Sequence, residues 1–181
     1  MLTTKIKQLA TRQLNDYRNN RPGTCFSDPA LSLTIKEAYR LQDAVTNLRV
    51  ADGEQIIGYK VGCVGSQTTE QFGMKGPIRG TLFLDEIYSN ESNLKKATFC
   101  NLAIEGEMAF KINDNYQIDT IFPVIELHNF IFRAHQKTLT ELISNNGINA
   151  GIVLPSINQK LTESQFHDGS ILSILINNKK I

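Results

Sequence analysis

A chain of 181 residues carrying 19 Lys plus Arg against 18 Asp plus Glu has a net charge of +1, too little basic surplus to hold phosphate backbones or an anionic lipid surface. With 41% apolar and 20% charged residues it can bury a core without disulfides, which excludes a disordered chain and fits one domain. Cys25, Cys63 and Cys100 are far apart with no CxxC pair, which excludes a disulfide framework and a zinc knuckle and fits a reducing compartment. The N-terminal segment MLTTKIKQLATRQLNDYRNN has no apolar signal core, and no run approaches ~18 apolar residues. The expectation is a cytoplasmic protein with neither membrane nor nucleic acid as partner.

From Thr3 to about Asn19, Ile6, Leu9, Leu14 and Tyr17 recur at helical spacing, and Arg21-Pro22-Gly23 stops the pattern. Thr34-Ile35-Lys36-Glu37 is a capping box, in which hydroxyl and carboxylate satisfy two orphan amides. It opens a second helix through Leu41, Val45 and Leu48, with Gly53 as C-cap. The period then changes to two. Ile57, Tyr59, Val61 and Cys63 give a strand one apolar face, and its other face is bare except for Lys60, between Gly58 and Gly62.

Glycines punctuate the stretch from Gly65 to Gly80, which predicts a long irregular loop of the kind that carries a site. Alternation returns from Ala103 to Ile112 and from Tyr116 to His128, where Pro123 predicts an edge position or a bulge. A third helix spans Thr138 to Ser144, capped by Thr138 with Glu141 and closed by Asn145-Asn146-Gly147, and a short run from Ala150 to Leu154 follows. The run from Ile171 to Ile176 reads as a strand entering an Asn177-Asn178 hairpin turn, with too little chain left to return. Such an apolar, unpaired edge predicts cover by a second copy, hence a homo-oligomer. No linker divides the chain, so 1–181 reads as a single domain, with a helical segment 1–54 and a β-rich core 55–181.

The residues able to carry chemistry are carboxylates. Glu105 and Glu107 stand two apart on a strand, about 6.6 Å between α-carbons, and project from one face within reach of one ion. Gly106 between them leaves the backbone open to the approach of another element. An ordinary solvated strand face has the same pattern. Glu126 lies among apolar neighbours in PVIELH, where a carboxylate needs a cation or hydrogen bonds to compensate it. His128 shares its face, either as a fourth ligand or as a hydrogen-bonded structural histidine. Lys60 has room beside it for a small molecule, or is a lysine snorkelling to the surface. Phosphate loops, dinucleotide fingerprints, the GxSxG elbow and HExxH are all missing, and the Asn90-Glu91-Ser92 sequon is a chance match.

In chain order, AYRLQDAV at 38–45, GYKVG at 58–62, QFGMKGPIRGTLFLDEI at 71–87, IEGEMAF at 104–110 and PVIEL at 123–127 resemble one family. It is the 2-keto-4-pentenoate hydratase and 4-oxalocrotonate decarboxylase family, within the fumarylacetoacetate hydrolase superfamily. The resemblance implies an α+β fold, a helical N-terminal segment on a mixed β-roll, here C-terminally truncated because family members run on by roughly a further third. It implies a lyase of aromatic catabolism, a hydratase adding water to a small 2-hydroxy-2,4-dienoate or 2-oxo acid with Mg²⁺ or Mn²⁺ as cofactor. A decarboxylase of a related 2-oxo acid, or a non-catalytic member serving as a binding or partner subunit, are the alternatives.

Carried over residue by residue, the resemblance places metal ligands at Glu105, Glu107 and Glu126, the catalytic lysine at Lys60, and substrate-binding positions at Lys60, Gly62 and Asp85. An arginine that follows the third carboxylate in the family is not matched at Ile131, with Arg133 nearby. A 2-oxo acid chelates a divalent ion through its carboxylate and adjacent oxygen, and the ion stabilises enolate charge. Lys60 would then neutralise the substrate carboxylate or shuttle a proton.

Overall fold

The computed structural model, which describes residues 3–74, 76–129, 138–156, 161, 167 and 169–180, opens with two packed helices, α1 (Thr4–Arg18) and α2 (Ile35–Ala51). Thr3 caps α1, and the expected capping box closes around α2: Glu37 N–H donates to Thr34 Oγ1 at 3.2 Å and Thr34 N–H to Glu37 Oε2 at 2.8 Å. Ile6 and Ala10 of α1 pack on Leu41 and Ala44 of α2 together with Leu33. Ala38, on another face of α2, packs with Ile78, Leu142, Ile143 and Ile148, so α2 joins the helical segment to the strands. No helix among the described residues is long and apolar enough to cross a membrane.

Among the described residues the strands fall into three sheets, giving the expected mixed α+β content without one continuous ladder. β1 (Ile56–Gly62) pairs antiparallel with β2 (Ile78–Phe83). Between them lies a helix, α3 (Ser66–Phe72), where glycine spacing had predicted an irregular loop. It is bounded by Gly65 and by Gly73 in the left-handed conformation at φ 61°. The second sheet has the order β3 (Ile87–Tyr88), β6 (Asn149–Val153), β5 (Ile118–Asn129), β4 (Leu102–Ile112), with β3 and β6 parallel and the other neighbours antiparallel. The third helix, α4 (Leu139–Ser144), is capped by Thr138 as its spacing predicted.

Pro123 occupies a local edge position on β5, paired with β4 on one side only, although further along β5 is flanked by both β4 and β6. The paired stretch with β6 begins only at Ile125, so the N–H that proline lacks removes no rung from that ladder. The C-terminal expectation is corrected. β7 (Leu175–Ile176) does find a returning partner in β8 (Lys179–Lys180), because Asn177 and Asn178 both take positive φ (50° and 63°) and turn the chain within two residues. Upstream of it, Ile174 lies against Gly106. A Cβ on Gly106 would stand 2.5 Å from Ile174 Cδ1, so the bareness of that position is what lets the C-terminal segment seat on β4.

Candidate metal centre

The β4–β5 hairpin register sets Glu105 directly opposite Glu126, Glu107 opposite Val124 and Ala103 opposite His128. All share one sheet face, because paired residues in an antiparallel ladder project together. The carboxylate pair read from spacing therefore meets the third carboxylate through backbone pairing, despite the short connection between the strands.

Lys60 reaches them from β1. Its Nζ lies 2.6 Å from Glu126 Oε1 and 3.2 Å from His128 Nε2, and donates to the Gly147 carbonyl at 3.3 Å. The lysine is not a surface residue, since its side chain is 13% exposed. Two devices hold it there. Gly80, paired with Lys60 across β1 and β2, would place a Cβ 2.5 Å from the Asn146 carbonyl oxygen, so only a bare position admits the turn after α4. Asn146 then pairs with the Thr81 backbone like a strand residue, accepting from Thr81 N–H at 2.6 Å and donating to Thr81 O at 2.8 Å. Gln42 of α2 fixes the same turn by donating to Ile143 O at 2.7 Å.

Lys60, Glu105, Glu107, Glu126 and His128 line a cleft of about 210 Å³ with Gly62, Cys63, Gln71, Phe72, Leu142 and Ile148 among its walls. Glu105, Glu126 and His128 each bring one ligand atom to within 4.8 Å of the others. Glu107 lines the same cleft but lies outside that tight group, where His128 stands instead. A carboxylate set of this spacing with an open cleft beside it fits a hard divalent ion such as Mg²⁺ or Mn²⁺.

Burial pushes the Glu126 carboxyl up, but the hydrogen-bonded His128 ring and the Lys60 ammonium overcome it and hold the carboxyl below its ordinary value. Glu107 is pushed above its ordinary value, by burial and then by the charges of Glu126 and Glu105. The repulsion of neighbouring carboxylates is thus felt at Glu107, whereas at Glu126 His128 and Lys60 outweigh burial.

Lys60, Gly62, Glu105, Glu107 and Glu126 are brought together; Asp85 is not. It lies exposed on the 3-10 turn between β2 and β3 (Leu84–Glu86), because that turn buries its other acid, Glu86, and so sends Asp85 outward, away from the residues that line the cleft. Arg133 lies outside the described residues. The stretch from Gly65 to Gly80, read as site-bearing, does supply cleft wall through Gln71, Phe72 and Ile78, but sequence reasoning missed that it folds as α3, and missed the carbonyl of Gly147. The Asn-Asn-Gly turn was a visible signal, but its partner across the fold was not.

An α+β fold with an acid-lined cleft defines the class, and comparison with known proteins agrees. No protein-family model matches the chain. A 2-oxo-hept-4-ene-1,7-dioate hydratase of Escherichia coli is 26% identical over 140 residues, covering 67% of this chain and 52% of the relative. A 2-hydroxyhexa-2,4-dienoate hydratase of Comamonas testosteroni is 26% identical over 114 residues, 62% of this chain and 43% of the relative. The chain thus spans about half the length of these curated relatives. A solved structure of 4-oxalocrotonate decarboxylase from Pseudomonas putida G7, complexed with magnesium and adipate, superposes with a TM-score of 0.72 at 19% identity, covering 86% of this chain and 64% of that one. In sequence the chain is similar to these hydratases over part of their length, and in fold it is similar to 4-oxalocrotonate decarboxylase.

Proposed function

We propose that this protein is a divalent-metal-dependent hydratase that adds water to a small 2-hydroxy-2,4-dienoate or its 2-oxo tautomer. The observation that carries the reading is the convergence of Lys60, Glu105, Glu107 and Glu126 on one cleft, in a chain whose relatives are hydratases. Glu105 and Glu126 hold the ion, Mg²⁺ or Mn²⁺, with Glu107 beside them. When bound, the ion supplies Lewis-acid stabilisation of enolate charge.

Lys60 Nζ carries the only positive charge fixed on the described cleft wall, so it receives the substrate carboxylate or moves a proton at the substrate carbon. Lys60→Arg separates these roles, since charge pairing survives in arginine and proton shuttling does not. Glu107, whose carboxyl is pushed upward by burial and by the charges of Glu126 and Glu105, lines the cleft beside the ion. Phe72, Leu142 and Ile148 keep water from the hydrocarbon part of the substrate. Gly62 leaves space beside Lys60; Asp85 has no place in this scheme.

The test is turnover of 2-hydroxypenta-2,4-dienoate with Mg²⁺ and with EDTA. Metal-dependent loss of the diene is expected, and no turnover in either condition overturns the hydratase reading. The structural likeness to a decarboxylase favours a second reading, loss of CO₂ from a related 2-oxo acid, which CO₂ release in the same assay detects. Binding of metal and ligand without either reaction identifies a non-catalytic binding or partner subunit.

We further infer one domain, because α2 donates hydrogen bonds to both β2 and α4, and a homo-oligomer in the cytoplasm. The support for the oligomer is exposed apolar side chains on β1 (Ile57, Tyr59, Val61) and in the C-terminal segment (Ile171, Leu175). A monomer at high concentration in sedimentation would contradict it.

A further inference from the structure

Resting on the reading of the cleft as a divalent-cation site, we propose that His128 is a nitrogen ligand of that ion, making a mixed carboxylate and imidazole centre that selects Mn²⁺ over Mg²⁺. His128 follows Glu126 by two residues on β5 and shares its face, opposite Ala103, whose small side chain leaves the ring room toward Glu105. The His128 and Glu126 side chains are each only 7% exposed, so the ring is packed in place.

The distances match coordination. Nε2 lies 3.1 Å from Glu126 Oε2. Neighbouring ligand atoms on an octahedral ion with bonds of ~2.1 Å are themselves ~3.0 Å apart. The same Nε2 lies 3.2 Å from the Lys60 ammonium, so this nitrogen already meets a cation across the cluster. With an ion on Nε2 in place of the proton that this nitrogen shares with Glu126 in the metal-free protein, the ring proton would sit on Nδ1, the nitrogen 3.7 Å from Glu105 Oε1.

The consequence is selectivity. Mg²⁺ prefers oxygen donors and gains little from an imidazole, whereas Mn²⁺ accepts nitrogen among its oxygens and lies on the series in which nitrogen donors raise affinity. A histidine that only orients Glu126 would leave the ion with oxygen ligands and would change Mg²⁺ and Mn²⁺ binding alike.

The experiment loads the whole chain with Mn²⁺ and reads the electron spin echo for ¹⁴N modulation, with Mn²⁺ and Mg²⁺ affinities measured by calorimetry for wild type, His128→Val and His128→Gln. We expect ¹⁴N modulation in the wild type and its loss in both variants. Mn²⁺ affinity should fall by roughly tenfold or more, the scale on which even outer partners of a metal ligand matter. Mg²⁺ affinity should change less. Both variants need to fold only well enough to bind Mg²⁺, and the wild-type spectrum stands without them. Mn²⁺ bound without ¹⁴N modulation, or with modulation that persists in both variants, overturns the ligand role of His128 while leaving the carboxylate site intact. Binding of neither ion by the wild type at millimolar concentration overturns the cation site itself, and this inference with it.

Discussion

Arg49 and Lys60 are both cations drawn into the interior beside carboxylates, yet their surroundings differ. Arg49 is saturated. Its guanidinium lies 2.6 Å from Glu54 and 2.7 Å from Glu86, stacks 3.5 Å from the Phe83 ring centroid and 4.8 Å from that of Tyr17, and Tyr17 O–H donates to the same Glu86. The space it borders is about 40 Å³, room for little more than ordered water. Lys60 faces Glu105, Glu107 and Glu126 across a cleft of about 210 Å³. One lysine cannot neutralise three carboxylates. With Arg18 also 3.3 Å from Glu54, two arginines face two glutamates and the first cluster is closed in charge and space, while the second is open in both, and surplus negative charge beside open volume is what a cation and an anionic substrate together would fill.

The contrast can be broken most forcefully at Arg49. Arg49→Met leaves Glu86 buried without its cation and should cost about 3–5 kcal/mol of stability, read from denaturant unfolding. Lys60→Met should do the opposite, lowering turnover by about 10²-fold or more while costing less stability than Arg49→Met, because water and metal ions reach the carboxylates it leaves behind. If Lys60→Met unfolds the protein as readily as Arg49→Met, the two clusters are alike and the open one is structural.

The back of the open cluster gives a smaller effect. Gly106→Val drives side-chain atoms into Ile174 and should destabilise by about 1–3 kcal/mol, with much of the loss recovered in Gly106→Val combined with Ile174→Ala. Smallest is Glu107→Gln in metal-free protein. Because the folded carboxyl of Glu107 is raised, its ionisation costs stability once pH exceeds that raised value. The variant should therefore be slightly more heat-stable than wild type at neutral pH and indistinguishable from it in acid. Glu126 has the reverse sign: its carboxyl is lowered, so the stability it contributes is present above the ordinary carboxylate range and is lost as pH falls through the lowered value.

What was legible in the sequence was local. The Thr34 and Thr138 caps, the period-two runs of β1, β4 and β5, and the shared face of Glu105 and Glu107 follow from spacing within a few residues. What was not legible depends on partners far along the chain. Alternation placed His128 on the right face but could not tell that Lys60 would approach it from 68 residues away. The Ser-Gln-Thr-Thr start of α3, poor in helix formers, hid a helix that forms a cleft wall. Gly106 was read as open to an approaching element, but that the element would be Ile174 required the fold. Asp85 matched a motif by position, while the turn that exposes it was set by the burial of Glu86 against Arg49.

The central claim is that the open cluster holds a divalent ion. Calorimetric titration of Mg²⁺ into wild type and Glu105→Gln tests it most directly, since Glu105 belongs to the tight ligand group yet its side chain is 56% exposed and its loss spares the core. The account predicts saturable binding of one ion to the wild type and affinity lower by roughly tenfold or more in the variant. No heat of binding to the wild type at millimolar Mg²⁺, or equal affinity in the two proteins, would contradict it.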